Sequence, residues 1–393
     1  MSELRCKRAG GGDRKSLLPA APFVSGDEGS AIYIAVAAAA LASILPIMVG
    51  AVADGMGHGV ERAGYVASAN MAGSLVGSFT GALTKGKIPL HRTLYAALVA
   101  LLVLNLCTCF VADYDALVSI RFIAGLADGA IISICFLLFG RAVHPGRVLA
   151  IYAAGQLLFG IVALGAIPPM VDEWGWRTIF FLLALMLCPA FLLVGRATQA
   201  VARPIETGTP TVAMGPRALL ALAAIVLLFT GLASVWAVLE QIGRRAGLST
   251  TAIAAALSGS AAAGFAGSSL IALAAGRRAL PWVVIILAPL LIGSIVLLQG
   301  SPGPALFVLA CAMLNFGWAA GYPVQFDILS RSDKAGSLIT LTPVATGLGL
   351  TIGPAIGGAL LASAGLDSLA VAASVLVGAG VVISFMAAWH PDG

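Results

Sequence analysis

Charge is the scarcest commodity in this sequence. Only 10% of its 393 residues are Asp, Glu, Lys or Arg, while 60% are hydrophobic and the mean hydropathy is +1.02. Soluble domains carry about 25% charged residues, so a water-soluble fold is excluded. Histidine is equally thin. His58, His91, His144 and His390 all fall in polar breaks or at the end. With no His cluster or clustered carboxylates in the apolar runs, no metal centre and no Ser-His-Asp hydrolase can be assembled, and an enzyme is not expected. There is no Gly-x-x-x-x-Gly-Lys-Ser/Thr loop, which removes nucleotide hydrolysis as an energy source. The six cysteines show neither metal spacing nor a disulfide framework; Cys107, Cys109, Cys135, Cys188 and Cys311 lie in apolar runs as small hydrophobes, and Cys6 lies in the polar N-terminal stretch. No cofactor is expected. No short apolar stretch with a small-residue cleavage site follows the first charges, so no secretory signal is expected. The net charge of +5 is spread over separate segments, and without a continuous basic stripe no nucleic-acid partner is expected.

What the sequence has instead is long apolar runs. A backbone in hydrocarbon must satisfy its own hydrogen bonds, so each run is a helix, and about 20 apolar residues suffice to cross. The runs predict twelve spans, at 30–53, 63–84, 92–112, 115–140, 147–171, 176–195, 217–241, 250–275, 280–300, 303–329, 337–362 and 366–389. The fold class expected is an all-α membrane protein with two pseudo-symmetric six-helix bundles. The domain reading is a cytoplasmic tail over 1–29, a first bundle over 30–195, a linker over 196–216 and a second bundle over 217–390. The linker is set apart by Pro204, Pro210 and Pro216.

The few basic residues orient the chain. Seventeen of the 22 Lys and Arg fall in alternate connecting segments, four in the others, and Arg121 inside a span. Short loops rich in Lys and Arg stay on the cytoplasmic side. Both termini are therefore expected there, in a multi-pass protein of the cell (inner) membrane whose solvent is the lipid bilayer.

The fifth span is rich in glycine and ends at Pro168 and Pro169; the eleventh reads GLGLTIGPAIGG over 347–358. Gly/Pro-interrupted segments in matching places of two halves point to a duplicated transporter. Three stretches then resemble the major facilitator superfamily. LVSIRFIAGLADGA (117–130) is similar to that family's Arg-x-x-x-Gly motif in helix 4, through Leu117, Arg121 and Gly125. EWGWRTIFF (173–181) is similar to its Gly-Trp-Arg-x-x-Phe start of helix 6. Gly353-Pro354-x-x-Gly357-Gly358 is like the Gly-Pro-x-x-Gly-Gly of its antiporters, though that normally sits in helix 5, where this chain has only Gly155, Gly160, Gly165 and Pro168. The loop after the second span departs from the family pattern: Gly81-Ala82-Leu83-Thr84-Lys85-Gly86-Lys87 has Lys85 where the family keeps an acid of its gating latch. The resemblance implies alternating access, a substrate near the midplane and a monomer.

Charged groups inside spans are costly, about 2.5–3.5 kcal/mol each, so they are the first functional candidates. Arg121 and Asp128 lie seven residues apart on nearly one helix face, about 10 Å apart along the axis. A protonatable Asp128 with Arg121 as charge partner is the expected proton-coupling pair, with Glu240 the second choice; a structural lock between helices is the competing reading. Trp236, Glu240 and Arg244 share a face by their spacing of four. Asn315, Trp318, Tyr322 and Gln325 form one stripe in the tenth span. With Trp236 and Arg121, that stripe makes the expected substrate-contacting set. Hinge and gate positions are expected at Gly81, Lys85, Gly125, Gly155, Pro168, Gly353, Pro354 and Gly357.

The function expected is secondary active transport of a small organic solute as a symporter or antiporter, proton-coupled. Arg121 in a cavity favours uptake of an organic acid, and the Gly-Pro segment favours efflux of an amphiphile. The alternative is a solute sensor or scaffold that keeps a transporter fold.

Overall fold

The computed structural model describes residues 25–83, 89–140, 142, 145–199, 215–274, 280–300, 302–332 and 342–388. Among them regular structure is entirely helical. The first part holds α1 (Gly26–Ala38), α2 (Ala40–Ser43), α3 (Leu45–Met56), α4 (Gly59–Leu83), α5 (Leu90–Thr108), α6 (Tyr114–Gly140), α7 (Pro145–Trp174) and α8 (Arg177–Gln199). The second holds α9 (Pro216–Trp236), α10 (Leu239–Arg245), α11 (Thr250–Ala274), α12 (Leu280–Leu297), α13 (Pro304–Ser332), α14 (Thr342–Ser363) and α15 (Gly365–Ala388). Nine described segments are long and apolar enough to cross a membrane. With the broken run α1–α3, α4 and α12 they make twelve, since α9 and α10 form one crossing.

Local chemistry sets the ends and the breaks. Ser25 and Glu28 form a capping box that starts α1, satisfying amides that have no partner in the first turn. Gly175, at φ 83°, lets the chain reverse between Trp174 and Arg177. Two predicted spans are not continuous. The first is broken at Ala39 and Ile44, where Pro46 in the first turn of α3 has no amide proton to continue the ladder. The seventh is broken at Ala237–Val238. The segments flagged in sequence for interruption behave in the opposite way. α7 runs through Pro168 and Pro169 to Trp174, and α14 runs through Pro354. Gly165, four residues before Pro169, presents no Cβ beside the carbonyl that the proline ring approaches, which fits an unbroken α7.

The two sets of six segments pack in the same pattern. The pairs α4–α6, α1–α8, α5–α6 and α5–α8 have counterparts in α11–α13, α9–α15, α12–α13 and α12–α15. Between the sets, α14 packs on α4 and α11 on α7, and α10 meets α3. Those three cross-set contacts are the seam of the molecule. The end where α3 meets α4, α5 meets α6 and α7 meets α8 is here called the distal end. Tyr114 donates to the Arg62 carbonyl at 3.2 Å, Arg177 to the Val111 carbonyl at 3.1 Å, and Arg245 to the Leu361 carbonyl at 3.2 Å.

Candidate functional site: an aromatic cavity and a distal ion pair

Glycine decides how closely the seam and the cores of each half can approach. In α14, a Cβ at Gly357 would fall on the Ser234 backbone of α9, and one at Gly353 on Ala233. On the next face, Gly358 lies against Val60 and Glu61 of α4, and Gly64 of α4 against the Pro354 carbonyl. The Gly-Pro-x-x-Gly-Gly spacing thus wedges α14 between α9 and α4. Gly347 of α14 faces Leu75 of α4, so this contact extends well inward from the distal end. On the other side of the seam, Ser258 of α11 donates to the Ile161 carbonyl of α7 at 2.6 Å, beside Gly165. Gly155 faces Val36 of α1, with a Cβ position 3.1 Å from that side chain.

Inside the first half, Gly73 and Gly77 of α4 oppose Gly125 and Gly129 of α6, each lying on the facing backbone. Gly125→Val is expected to cost about 3 kcal/mol, because its Cβ would meet the Asn70 carbonyl. Gly160→Ala is the control, as the added Cβ sits 3.6 Å from that of Ala261 in ordinary contact. Thermal melting of the two purified variants checks the contrast.

That close crossing carries the most distinctive group in the molecule. Asp128 is 5% exposed and sits near the middle of α6. Its Oδ2 accepts from Asn70 Nδ2 at 3.2 Å and its Oδ1 from Ser74 Oγ at 2.5 Å, both on α4. Its hydrogen bonds come from neutral donors, with no ion pair among the described residues. Neither Asn70 nor Ser74 stands in the site expected from the sequence. The signal was present in their spacing of four, flanked by Gly73 and Gly77.

Arg121 is placed elsewhere. It is 1% exposed and turned toward α5 and α8. Its Nη1 donates to Asn105 Oδ1 at 3.0 Å, and its Nη2 to the Leu104 carbonyl at 3.0 Å and to Thr108 Oγ1 at 2.5 Å. Its guanidinium lies 4.6 Å from the ring centroid of Phe180. The structure therefore makes no hydrogen bond or ion pair between Arg121 and Asp128, although each lies within electrostatic range of the other. Two faces of the same helix hold them, one toward α5 and α8, the other toward α4.

The tenth-span stripe, on α13, is divided in the same way. Trp318 meets Phe229 at 5.6 Å and Trp236 at 6.4 Å, edge to face, and Tyr322 meets Phe229 at 5.6 Å. Asn315 instead donates to Ser260 of α11 at 2.9 Å, and buried Gln325 accepts from Ser384 of α15 at 2.9 Å. Those two amides tie helices of the second half together. Beside the aromatic group is a cavity of about 30 Å³, lined by Phe229, Leu232, Leu291, Trp318, Tyr322 and Gln325 among others, with room for one small group. Tyr322 is partly open and lies within electrostatic range of Tyr152 in the other half. Tyr152 accepts from Gln156 at 3.3 Å, and Gln156 accepts from Ser43 at 2.8 Å, beside the break between α2 and α3. Phe136 and Phe139 pack on Tyr152. Both halves thus offer aromatic and neutral polar groups.

At the distal end an ion pair joins the halves. Arg244 of α10 pairs with Glu240 on its own helix and with Asp54 of α3. Gly81 lies in the last turn of α4, while Lys85 falls outside the described residues. No group of three or more His, Cys, Asp or Glu side chains fit to hold a metal occurs among the described residues.

The family model of the Major Facilitator Superfamily matches residues 31–342. The chain belongs to that superfamily. Its fold is similar to the crystal structure of the nucleoside transporter NupG, solved as a point mutant, with a TM-score of 0.73 at 12% identity, over 93% of this chain and all of that one. No curated protein matches by sequence. Membership makes this a multi-pass membrane transporter, and the paired six-segment packing is that of the superfamily fold.

Proposed function

We infer that the protein is a proton-coupled secondary transporter for a small organic solute that is neutral or cationic and carries a planar ring. The observation that supports this reading best is Asp128: a carboxylate near mid-span, buried, held by neutral donors only. A charge so placed is costly unless it is used, and a carboxyl group there can be neutralised by taking a proton. Solute would bind between the halves, against Trp318 and Tyr322 on one side and Tyr152 and Gln156 on the other. Aromatic faces suit flat rings and cations. A nucleoside, the substrate in the neighbour's name, is one neutral solute of this kind. Uptake of an organic acid loses its main support, because both terminal nitrogens of Arg121 are bound to α5 and its Nε is buried.

The asymmetry of basic residues supports a cytoplasmic proximal end, with both termini inside and the distal end facing out. In that orientation the Arg244–Asp54 pair joins the two halves on the outer side. Rocking of residues 30–195 against 217–390, about the α4–α14 and α7–α11 contacts, would then expose the site alternately. The chain would work as a monomer.

Counterflow in proteoliposomes tests the transport claim. Vesicles preloaded with a nucleoside, a lipophilic aromatic cation or an aromatic carboxylate are expected to take up label for one of the first two. Exclusive exchange of the carboxylate would sink the proposed solute class, and a protein that binds solute without any counterflow would be a sensor or scaffold. Net uptake that ignores an imposed proton gradient would sink the coupling claim.

A further inference from the structure

At the distal end, one guanidinium serves carboxylates from both halves. Arg244 Nε and Nη2 donate to Glu240 Oε1 at 3.0 and 2.8 Å, and Nη1 donates to Asp54. Glu240 is one turn before Arg244 on α10, so that pair moves as a unit. Asp54 belongs to α3 and leaves with the other half. The second oxygen of Glu240 is the unusual one. The residue is 4% exposed, and Oε2 is buried with no hydrogen-bond partner. It faces Gly50 of α3, where an added Cβ would require the Glu240 carboxylate to move. Beyond Arg244 and Asp54, Asp172 near the end of α7 is the charged group in electrostatic range of Glu240. One cation thus stands among three acids, and Oε2, shielded from solvent, has no donor among the described residues.

We propose that Glu240 is a proton-binding site of the distal gate, carrying a proton while α3 and α10 are packed together and releasing it to the distal side when they part. The proposal rests on the alternating-access reading above. In the closed seam the proton sits on Oε2, so no uncompensated charge faces Gly50. Arg244 then answers chiefly to Asp54, which strengthens the only ion pair that crosses between the halves among the described residues. When α3 withdraws, Gly50 and Asp54 go with it. Oε2 meets water, the proton leaves to that water, and the carboxylate keeps Arg244 as a solvated pair within α10. The closed state binds the extra proton, so lower pH favours closure and higher pH favours opening; proton binding and gate closure reinforce each other by the same factor in both directions. Asp128 lies in a different contact, α4 against α6, and is not part of this gate.

The test uses full-length protein in nanodiscs, with native cysteines replaced and spin labels at Ala112→Cys and Ala305→Cys. Both positions are exposed, distal and in different halves. Pulsed dipolar spectroscopy is expected to show the long-distance population growing as pH rises. In Glu240→Gln the short distance should persist at every pH. Glu240→Ala carries the same expectation if the Gln variant does not fold. Asp54→Asn should keep the pH response with its midpoint displaced to lower pH, since the cross-seam pair is lost. A distance distribution that ignores pH in the parent protein, or Glu240 variants that follow the parent, would overturn the proposal. Counterflow measured in parallel separates the two claims. Absent counterflow with an intact pH response counts against transport alone, whereas a flat response with normal counterflow counts against the gate alone.

Discussion

Asp128→Asn is expected to collapse concentrative uptake to equilibration while leaving solute exchange in place. Each pH unit across the membrane is worth about 1.4 kcal/mol per proton. A gradient of two units therefore supports accumulation of roughly 100-fold for one coupled proton, on the same arithmetic. Asparagine matches the shape of a protonated aspartate and cannot ionise. Its carbonyl can still accept from Ser74, and Asn70 can turn its own carbonyl to receive the new amide, so the α4–α6 contact survives. The variant should therefore still rock in both directions with solute bound, and counterflow should remain. Steady-state accumulation under an imposed gradient is the measurement. Parental accumulation in the variant would remove Asp128 from the coupling mechanism.

Arg121→Met is expected to fail as a folded protein before it fails as a transporter. The guanidinium is buried and makes three hydrogen bonds to α5 and a ring contact with α8. The Leu104 carbonyl and Thr108 hydroxyl still have each other at 2.7 Å, so the orphaned group is chiefly the Asn105 side-chain oxygen. An unsatisfied buried acceptor costs about 1–3 kcal/mol, and the lost ring contact adds about 1–2 kcal/mol. The thermal midpoint in detergent should fall, with KM unchanged in whatever fraction folds. Arg121→Lys should lie close to Met, because one ammonium cannot span acceptors on two nitrogens of a fork. A raised KM with unchanged melting would instead restore Arg121 as a solute contact.

These two residues mark how far the sequence could be read. Both were legible as costly charges within one apolar run, and the cost argument holds for each. Which way each side chain points was not legible. Positions 121 and 128 share nearly one helical face by spacing, yet Arg121 reaches α5 and α8 while Asp128 packs under α4. A seven-residue offset drifts by about 20° in an α-helix, and long Arg torsions carry the head group further. Asn315 and Gln325 were read with Trp318 and Tyr322 as one stripe. The structure spends the two amides on α11 and α15 and leaves the two rings together. Conversely, Ser43, Gln156 and Tyr152 form one chain, and nothing in their spacing joins the first of them to the other two.

Glycine gave the opposite lesson. The Gly353–Gly358 run was notable in sequence, and its periodicity already implied two small faces. That these faces meet Ser234 on one side and Gly64 on the other is what gives the spacing its meaning. The breaks in the first and seventh segments were less visible than the prolines of α7 and α14. A proline removes one amide proton and crowds the carbonyl four residues back, and whether the helix runs on past it depends on how its neighbours pack.

By itself the sequence determined the membrane and the number of crossings, because the bilayer imposes length, apolarity and internal hydrogen bonding on every segment separately; three motifs carried the resemblance to the superfamily. The tertiary structure alone decided which charge locks a bundle, which lies unpaired at mid-depth, and which closes the seam. Asp54 and Arg244 are 190 positions apart, and no local rule reaches that far. Their meeting depends on how two six-segment halves pack, and so does the unpartnered oxygen of Glu240.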